Sequence, residues 1–284
     1  MFGISKPLLT ADDWFVPKPA LEKSLEAQYG ILAIMVILAA ITVIYAIKTA
    51  KKNGRSDVLW ITCGAALACF YEPLGDFLAH VTYHEVNTIA FTSAFGFTIP
   101  LWVLPTYVVF FGAALLWLLN EIEKGMTCKR WMMLFFMLAP SALVFEAPLL
   151  ALGYIEYYGA NQPVKILRYP PWMAFSNMAA TLITATSLYF VCKTKLVRNF
   201  PAVLVMLTPL FIAGGSAATI LPVGSALSST DSTFIVNIFA LVSIAVSCFF
   251  AWASGYILEE FTCKASVPAQ PKAGAVGKPT EATG

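Results

Sequence analysis

Charge is what this chain has least of. Only 12% of its 284 residues are Asp, Glu, Lys or Arg, against roughly 25% in a soluble domain. So few charges cannot cover a globule in water, which excludes an ordinary soluble enzyme. A content of 59% hydrophobic residues excludes a disordered chain. The formal net charge is +2, and no basic patch exceeds a short loop, so nucleic acid is excluded as a partner.

Histidine is almost missing as well. The two present are too few for the histidine clusters of membrane desaturases and hydroxylases. No lysine lies deep in an apolar run, so a retinal Schiff base is excluded. The chain has no D-R-Y or N-P-x-x-Y pattern, no T-V-G-Y-G filter and no Arg-rich span. It also lacks a Gly-rich phosphate loop, a G-x-S-x-G elbow and H-E-x-x-H. D-D-x-x-D, the soluble terpene-cyclase signature, is absent too. The six cysteines form no C-x-x-C pair. Cys63, Cys69 and Cys248 fall within apolar runs, and Cys128, Cys192 and Cys263 at run ends, so no disulfide framework is expected. No internal repeat of the transporter kind is visible. Neither a cofactor nor a metal is expected.

Seven apolar runs are present, each close to the roughly 20 residues that cross a bilayer as a helix. They lie near 30–48, 58–80, 99–119, 131–153, 172–192, 200–222 and 233–258. Lipid offers the backbone no hydrogen-bond partner, so such runs fold as helices. The expected fold is all-α, a multi-pass integral membrane protein with a seven-helix bundle over 30–260. Residues 1–29 form an N-terminal segment without the look of a cleavable signal. Residues 261–284, rich in Pro, Gly, Ala and Lys, read as a disordered tail.

Cations set the orientation. Thirteen of the 18 fall in the loops after the first, third and fifth runs and in the tail. Lys6, Lys18, Lys23, Lys165 and Arg168 make up the other side. The richer side is expected in the cytoplasm, with the N-terminus outside.

Against this background three acids stand out. Glu72 and Asp76 lie in the second run and Glu146 in the fourth, where an ionisable group costs about 2.5–3.5 kcal/mol to insert. Glu72 and Asp76 are spaced i, i+4 and share a helix face. Pro73 between them removes a backbone donor and should bend the helix. Two carboxyls so close in low dielectric do not both ionise readily, which suits a general acid or a proton carrier. Counted along the helices, Glu72 lies roughly 12 Å and Glu146 roughly 10 Å below the outer face. Tyr107, Ser176, Asn177, Ser216 and Asn237 fall in the same layer. A polar pocket open to the outer side is therefore expected, with Glu72, Asp76 and Glu146 as catalytic groups. Tyr107, Asn177, Asn237, Ser216 and Trp172 would bind substrate. Each polar residue alone also fits helix–helix hydrogen bonding.

His80 and His84 continue the i, i+4 series. Successive steps drift about 40° around the axis, so the four residues do not converge on a metal, and the histidines are expected to end the helix at the water interface. Residues 85–98 and 154–172, rich in Phe and Tyr, read as an aromatic belt or as a lid, joined by Trp14 and Phe15. Lys165 and Arg168 are the cations of these loops and suit an anionic head group.

The strings YEPLGD (71–76), IPLWVLPTYVVFFG (99–112), YYGANQP (157–163) and PPWMAFSN (170–177) resemble a set of polytopic bacterial membrane proteins. The resemblance covers the second run to the fifth and carries no activity with it. In architecture the chain is similar to the small seven-span membrane terpene cyclases. That likeness implies intramembrane carboxylic acids that protonate an epoxide or alkene. Three functions are weighed: an enzyme acting on a lipophilic, isoprenoid or terpenoid substrate by acid-catalysed cyclisation or isomerisation; a proton-coupled permease; and a non-catalytic scaffold or binding subunit. The partners expected are the lipid bilayer and a lipophilic small molecule.

Overall fold

All seven apolar runs fold as helical spans in the computed structural model, which describes residues 21–263. Seven helical stretches are long and apolar enough to cross a membrane: Leu25–Asn53, Asp57–Ala79, Val103–Glu123, Cys128–Ala151, Pro171–Cys192, Pro201–Ser229 and Thr233–Thr262. The first helix, α1 (Leu25–Asn53), begins inside the expected N-terminal segment, because Ser24 accepts from the amide of Ala27 and caps it. It ends at Gly54, whose φ of 64° supplies the left-handed turn a helix C-terminus favours. Trp14, Phe15 and the expected tail beyond Cys263 lie outside the described residues.

The second span is broken where proline predicts. It comprises α2 (Asp57–Leu67), a tight 3-10 turn (Ala68–Tyr71) and α3 (Glu72–Ala79). Pro73 has no N–H for the carbonyl of Cys69. That carbonyl instead accepts from the amide of Glu72, one residue nearer. The third span starts four residues later than expected, since Phe97–Pro100 is a strand. It runs as α4 (Val103–Tyr107), a wide π turn (Val108–Ala113) and α5 (Ala114–Glu123). The remaining helices are α6 (Cys128–Ala151), α7 (Pro171–Cys192), the short α8 (Lys195–Asn199), α9 (Leu204–Ser229) and α10 (Thr233–Thr262).

Burial orders these spans. The third and fifth bury 61% of their most apolar windows, the first and seventh only 28%, so α7 is central while α1 and α10 are peripheral. Tyr29, Ile34, Ile37, Ile41 and Ile44 of α1 point outward, an apolar face that suits lipid and not water. Within the bundle, Trp131 is fully buried and its indole N–H donates to Ser254 Oγ at 2.9 Å. Small residues let helices touch: a Cβ at Gly215 would stand 3.0 Å from Ala180 Cα, and one at Gly224 only 2.5 Å from the Leu78 carbonyl oxygen.

One end of the bundle carries two small antiparallel sheets that the helical periodicity did not announce. β1 (Val81–Tyr83) pairs with β4 (Ile155–Tyr157), Val81 opposite Tyr157 and Tyr83 opposite Ile155. β2 (Ala90–Ala94) pairs with β3 (Phe97–Pro100). The Phe- and Tyr-rich loops thus fold into a cap over this end. The opposite end holds ion pairs: Arg55 with Asp57 at 2.5 Å and with Glu123, and Glu121 with Lys124 at 2.5 Å and with Arg130.

Candidate functional site

Beneath the cap lies a cavity of about 110 Å³. Its walls come from α3, β1, α4, the π turn, α6, β4, α7 and α9. Six of the residues picked from the sequence line it together: Glu72, Asp76, Tyr107, Glu146, Asn177 and Ser216. Five spans therefore deliver polar groups to one apolar-walled space, as the shared depth predicts.

The carboxyls are held by phenols. Glu72 accepts on one oxygen from Tyr83 and on the other from Tyr107. Glu146 accepts from the Tyr157 hydroxyl at 2.8 Å and, at 3.5 Å, from Asn177 Nδ2. Asp76, one turn beyond Glu72 on the same face of α3, is buried at 2% exposure. Burial, followed by the neighbouring Glu72, pushes the Tyr83 phenol well above its ordinary value. Burial and then Glu146 do the same to Tyr157. Both phenols therefore stay protonated and serve as donors. Aromatic faces complete the wall: Tyr71, Trp102, Phe110, Phe111 and Phe145. The π turn sits in this wall, a local widening common at functional sites.

Two predicted residues do not reach the cavity. Asn237 lies on α10, where its Oδ1 accepts from the Val164 amide at 3.1 Å and its Nδ2 donates to the Thr233 carbonyl. It fastens the cap loop. Trp172 is buried at 1% exposure but is not among the residues that line the cavity. Counting residues along a helix fixes a level but not the rotation about its axis, and these two side chains are turned away from the cavity.

The histidines need correction too. His80 does end α3, with a left-handed φ of 50° and its amide bonded to the Asp76 carbonyl. But neither histidine faces water. His80 is 3% exposed, stacks on Tyr158 and lies 3.3 Å from Ser228 Oγ. His84 is fully buried, stacked on Trp102 and edge-on to Tyr154. The cap covers both. Burial pushes His80 down to about 4 and lowers His84. The rings have different neighbours, and among the described residues no group of three His, Cys, Asp or Glu side chains could hold a metal ion.

Sequence reasoning missed Tyr83 as a site residue and left Tyr157 in an interfacial belt. The available signal was the Ile155-Glu156-Tyr157 alternation, whose observed burial is in, out, in, the pattern of a strand over a core.

A second cleft lies at the opposite end, lined by Arg55, Asp57, Glu123, Tyr189, Lys193 and Arg198 among others. Along α2, α5 and α7 the two spaces are separated by Ile61, Leu115, Leu118, Leu182, Ala185 and Leu188, each 0% exposed. Comparison with family models, with curated proteins and with solved structures finds no match to this chain.

Proposed function

We propose that this protein is a membrane-embedded enzyme that applies carboxylic acids to a lipophilic, isoprenoid or terpenoid substrate, shifting a double bond or closing a ring by acid catalysis. The reading rests on one observation: Glu72, Asp76 and Glu146 share an aromatic-walled cavity that is closed toward the far end of the bundle. The chain lies in a bilayer with its cap end outside and the Arg55 end in the cytoplasm. The positions of Lys48, Lys51, Lys52, Lys193, Lys195 and Arg198 near that end support this orientation.

Hydrogen bonding suggests the division of labour. Both oxygens of Glu72 accept from tyrosines, an arrangement suited to a carboxylate that balances positive charge. Asp76 is the proton donor. Its proton goes to one carbon of an alkene, and a cation forms at the next. Faces of Phe110, Phe111, Phe145 and Trp102 stabilise that cation through their negative quadrupoles. Glu146 takes a proton from the carbon on the far side of the cation, so the double bond has moved. Where a second double bond of the substrate first attacks the cation, a ring bond forms, the cation passes to that alkene's other carbon, and Glu146 takes the proton beside it, with no net change in atoms. Asp76 is left ionised and Glu146 protonated, and a proton passing from Glu146 to Asp76 resets the site. The cavity is smaller than the roughly 150 Å³ apolar hole that accepts benzene. A substrate therefore enters end-first, its chain remaining in lipid.

A permease needs a route on both sides of its site. Fully buried apolar side chains lie between the two spaces, and the hydroxyls of Thr181, Thr184 and Thr219 donate to carbonyls of their own helices, which weighs against such a route.

The test is a comparison of lipid extracts from cells expressing the wild type, Asp76→Asn, Glu146→Gln and Glu72→Gln, each checked for folding. A wild-type-dependent lipid change should disappear with Asp76→Asn and Glu146→Gln, and fall by about 10²–10⁴-fold in rate in a purified assay. Identical lipid profiles from all folded variants would sink the proposal.

A further inference from the structure

Outside the acid cavity, across the β4 strand, lies a second pocket of about 310 Å³ lined by Leu150, Gly153, Ile155, Glu156, Tyr157, Lys165 and Arg168. Ile155 and Tyr157 border both spaces, so one strand separates them. Two cations and one carboxylate line this pocket. A third cation stands at its edge, since Lys23 Nζ lies 3.3 Å from where a Gly153 Cβ would be. Lys165 Nζ donates to the Tyr157 carbonyl at 2.5 Å, which uses one of its three protons. Arg168 makes no ion pair among the described residues.

The backbone here is unusual. Ile166 and Tyr169 exchange both backbone hydrogen bonds, at 2.8 and 2.9 Å, enclosing a two-residue turn. Its central residues, Leu167 and Arg168, both have positive φ, 52° and 67°. A turn of this kind normally calls for Asn-Gly or a similar pair. Instead it displays an aliphatic and a guanidinium group, both exposed. Strained backbone of this kind clusters at active sites and ligand clamps. Leu152, Val164 and Ile166 are likewise exposed nearby, each by more than half. Cations bordered by outward aliphatic groups match the boundary between lipid head groups and chains.

We propose that this pocket binds the phosphate of an anionic amphiphile, with Lys165 and Arg168 as its ligands and Leu152, Ile166 and Leu167 against its chain. The guanidinium fork suits phosphate oxygens, and Lys165 supplies a second charge. Binding here does not depend on the reaction proposed for the acid cavity, because the probes below contain no group for that chemistry. The site does adjoin that cavity: Lys165 holds the carbonyl of the same Tyr157 whose hydroxyl serves Glu146.

The experiment uses the full chain purified in an uncharged detergent, with dioctanoyl phosphatidic acid, dioctanoylglycerol and inorganic phosphate as probes. Phosphatidic acid should bind at least about tenfold more tightly than dioctanoylglycerol or phosphate, and less tightly as salt rises. Arg168→Gln should weaken it by about tenfold. The double variant Leu167→Asn, Arg168→Gly should lose binding while melting at the wild-type temperature or above, since Asn-Gly relieves the turn. That outcome separates lost binding from lost folding. Unchanged affinity in both variants overturns the proposal. So does phosphate binding as tightly as phosphatidic acid, which would mark a free-anion site, or equal binding of dioctanoylglycerol, which would mark a purely apolar one.

Discussion

Replacing Gly224 by alanine should separate α9 from the helix that carries Glu72 and Asp76. The added Cβ would stand 2.5 Å from the Leu78 carbonyl oxygen and 3.3 Å from its carbon. An ordinary carbon–oxygen contact is about 3.3 Å or more, so the shortfall is about 0.8 Å. The obstacle is backbone, which has no rotamer to change. Overpacking of this kind costs about 1–3 kcal/mol, against about 0.5–1 kcal/mol gained by removing a glycine from a helix interior. Gly214 on the same helix provides the control. It is exposed, and a Cβ there meets nothing within 4 Å, so Gly214→Ala should gain the helical preference without the clash. The two variants should differ by about 2 kcal/mol. At roughly 2–4 °C per kcal/mol for a chain of this order, that is about 4–8 °C in melting temperature, measured in one detergent at one scan rate. If Gly224→Ala melts at or above Gly214→Ala, the close approach of α9 to α3 is wrong. A shift of α3 approaching 1 Å should also reduce turnover in the acid cavity, by up to about 10²-fold.

Two further changes test the surroundings. Burial holds His80 at about 4, below its ordinary 6.5. Between those values an unfolded chain takes up a proton that the folded one refuses, so stability falls as pH drops from 6.5 toward 4. The loss by pH 5 should be about 2 kcal/mol, with His84 acting in the same direction. Melting curves at pH 7 and pH 5 should draw closer together in His80→Gln. At the core, Ser254→Ala leaves the buried Trp131 indole N–H without its acceptor and should cost about 1–3 kcal/mol in stability. Unchanged melting would mean that another acceptor reaches the indole.

The seven long helices were readable because a long apolar run without outside hydrogen-bond partners becomes a helix. Pro73 likewise announced its own break, and counting residues along the helices put Glu72, Asp76 and Glu146 at a similar level, where they line one cavity. Rotation about each helix axis was not readable, which is why Asn237 and Trp172 were placed in the cavity; Tyr83 was missed because it lies on β1, outside the helices. In a bundle whose outer faces are as apolar as its interior, periodicity hardly distinguishes inside from outside. The cap was hidden for a different reason. Its β1–β4 pairing involves three residues on each side, too short for a period of two to stand out, and it joins loops far apart in sequence. Burial of His80 and His84 follows from that cap and was unreadable with it.

The β1–β4 pair also constrains the order in which the molecule is made. β1 leaves the chain after the second span, and β4 follows the fourth. In the bilayer placement proposed above, helices that enter singly and pack afterwards would bring Glu72 into the membrane before Tyr107 has followed it, and Glu146 before Tyr157. Until Tyr83 and Tyr157 reach their places on those strands, Glu72 and Glu146 each lack a donor that the finished protein gives them. Unsatisfied polar groups in hydrocarbon are costly, so in that placement a chain stalled before the cap forms would be marked by its own acids as unfinished. The residues proposed to do the chemistry would then also report, during biogenesis, whether the cap has closed.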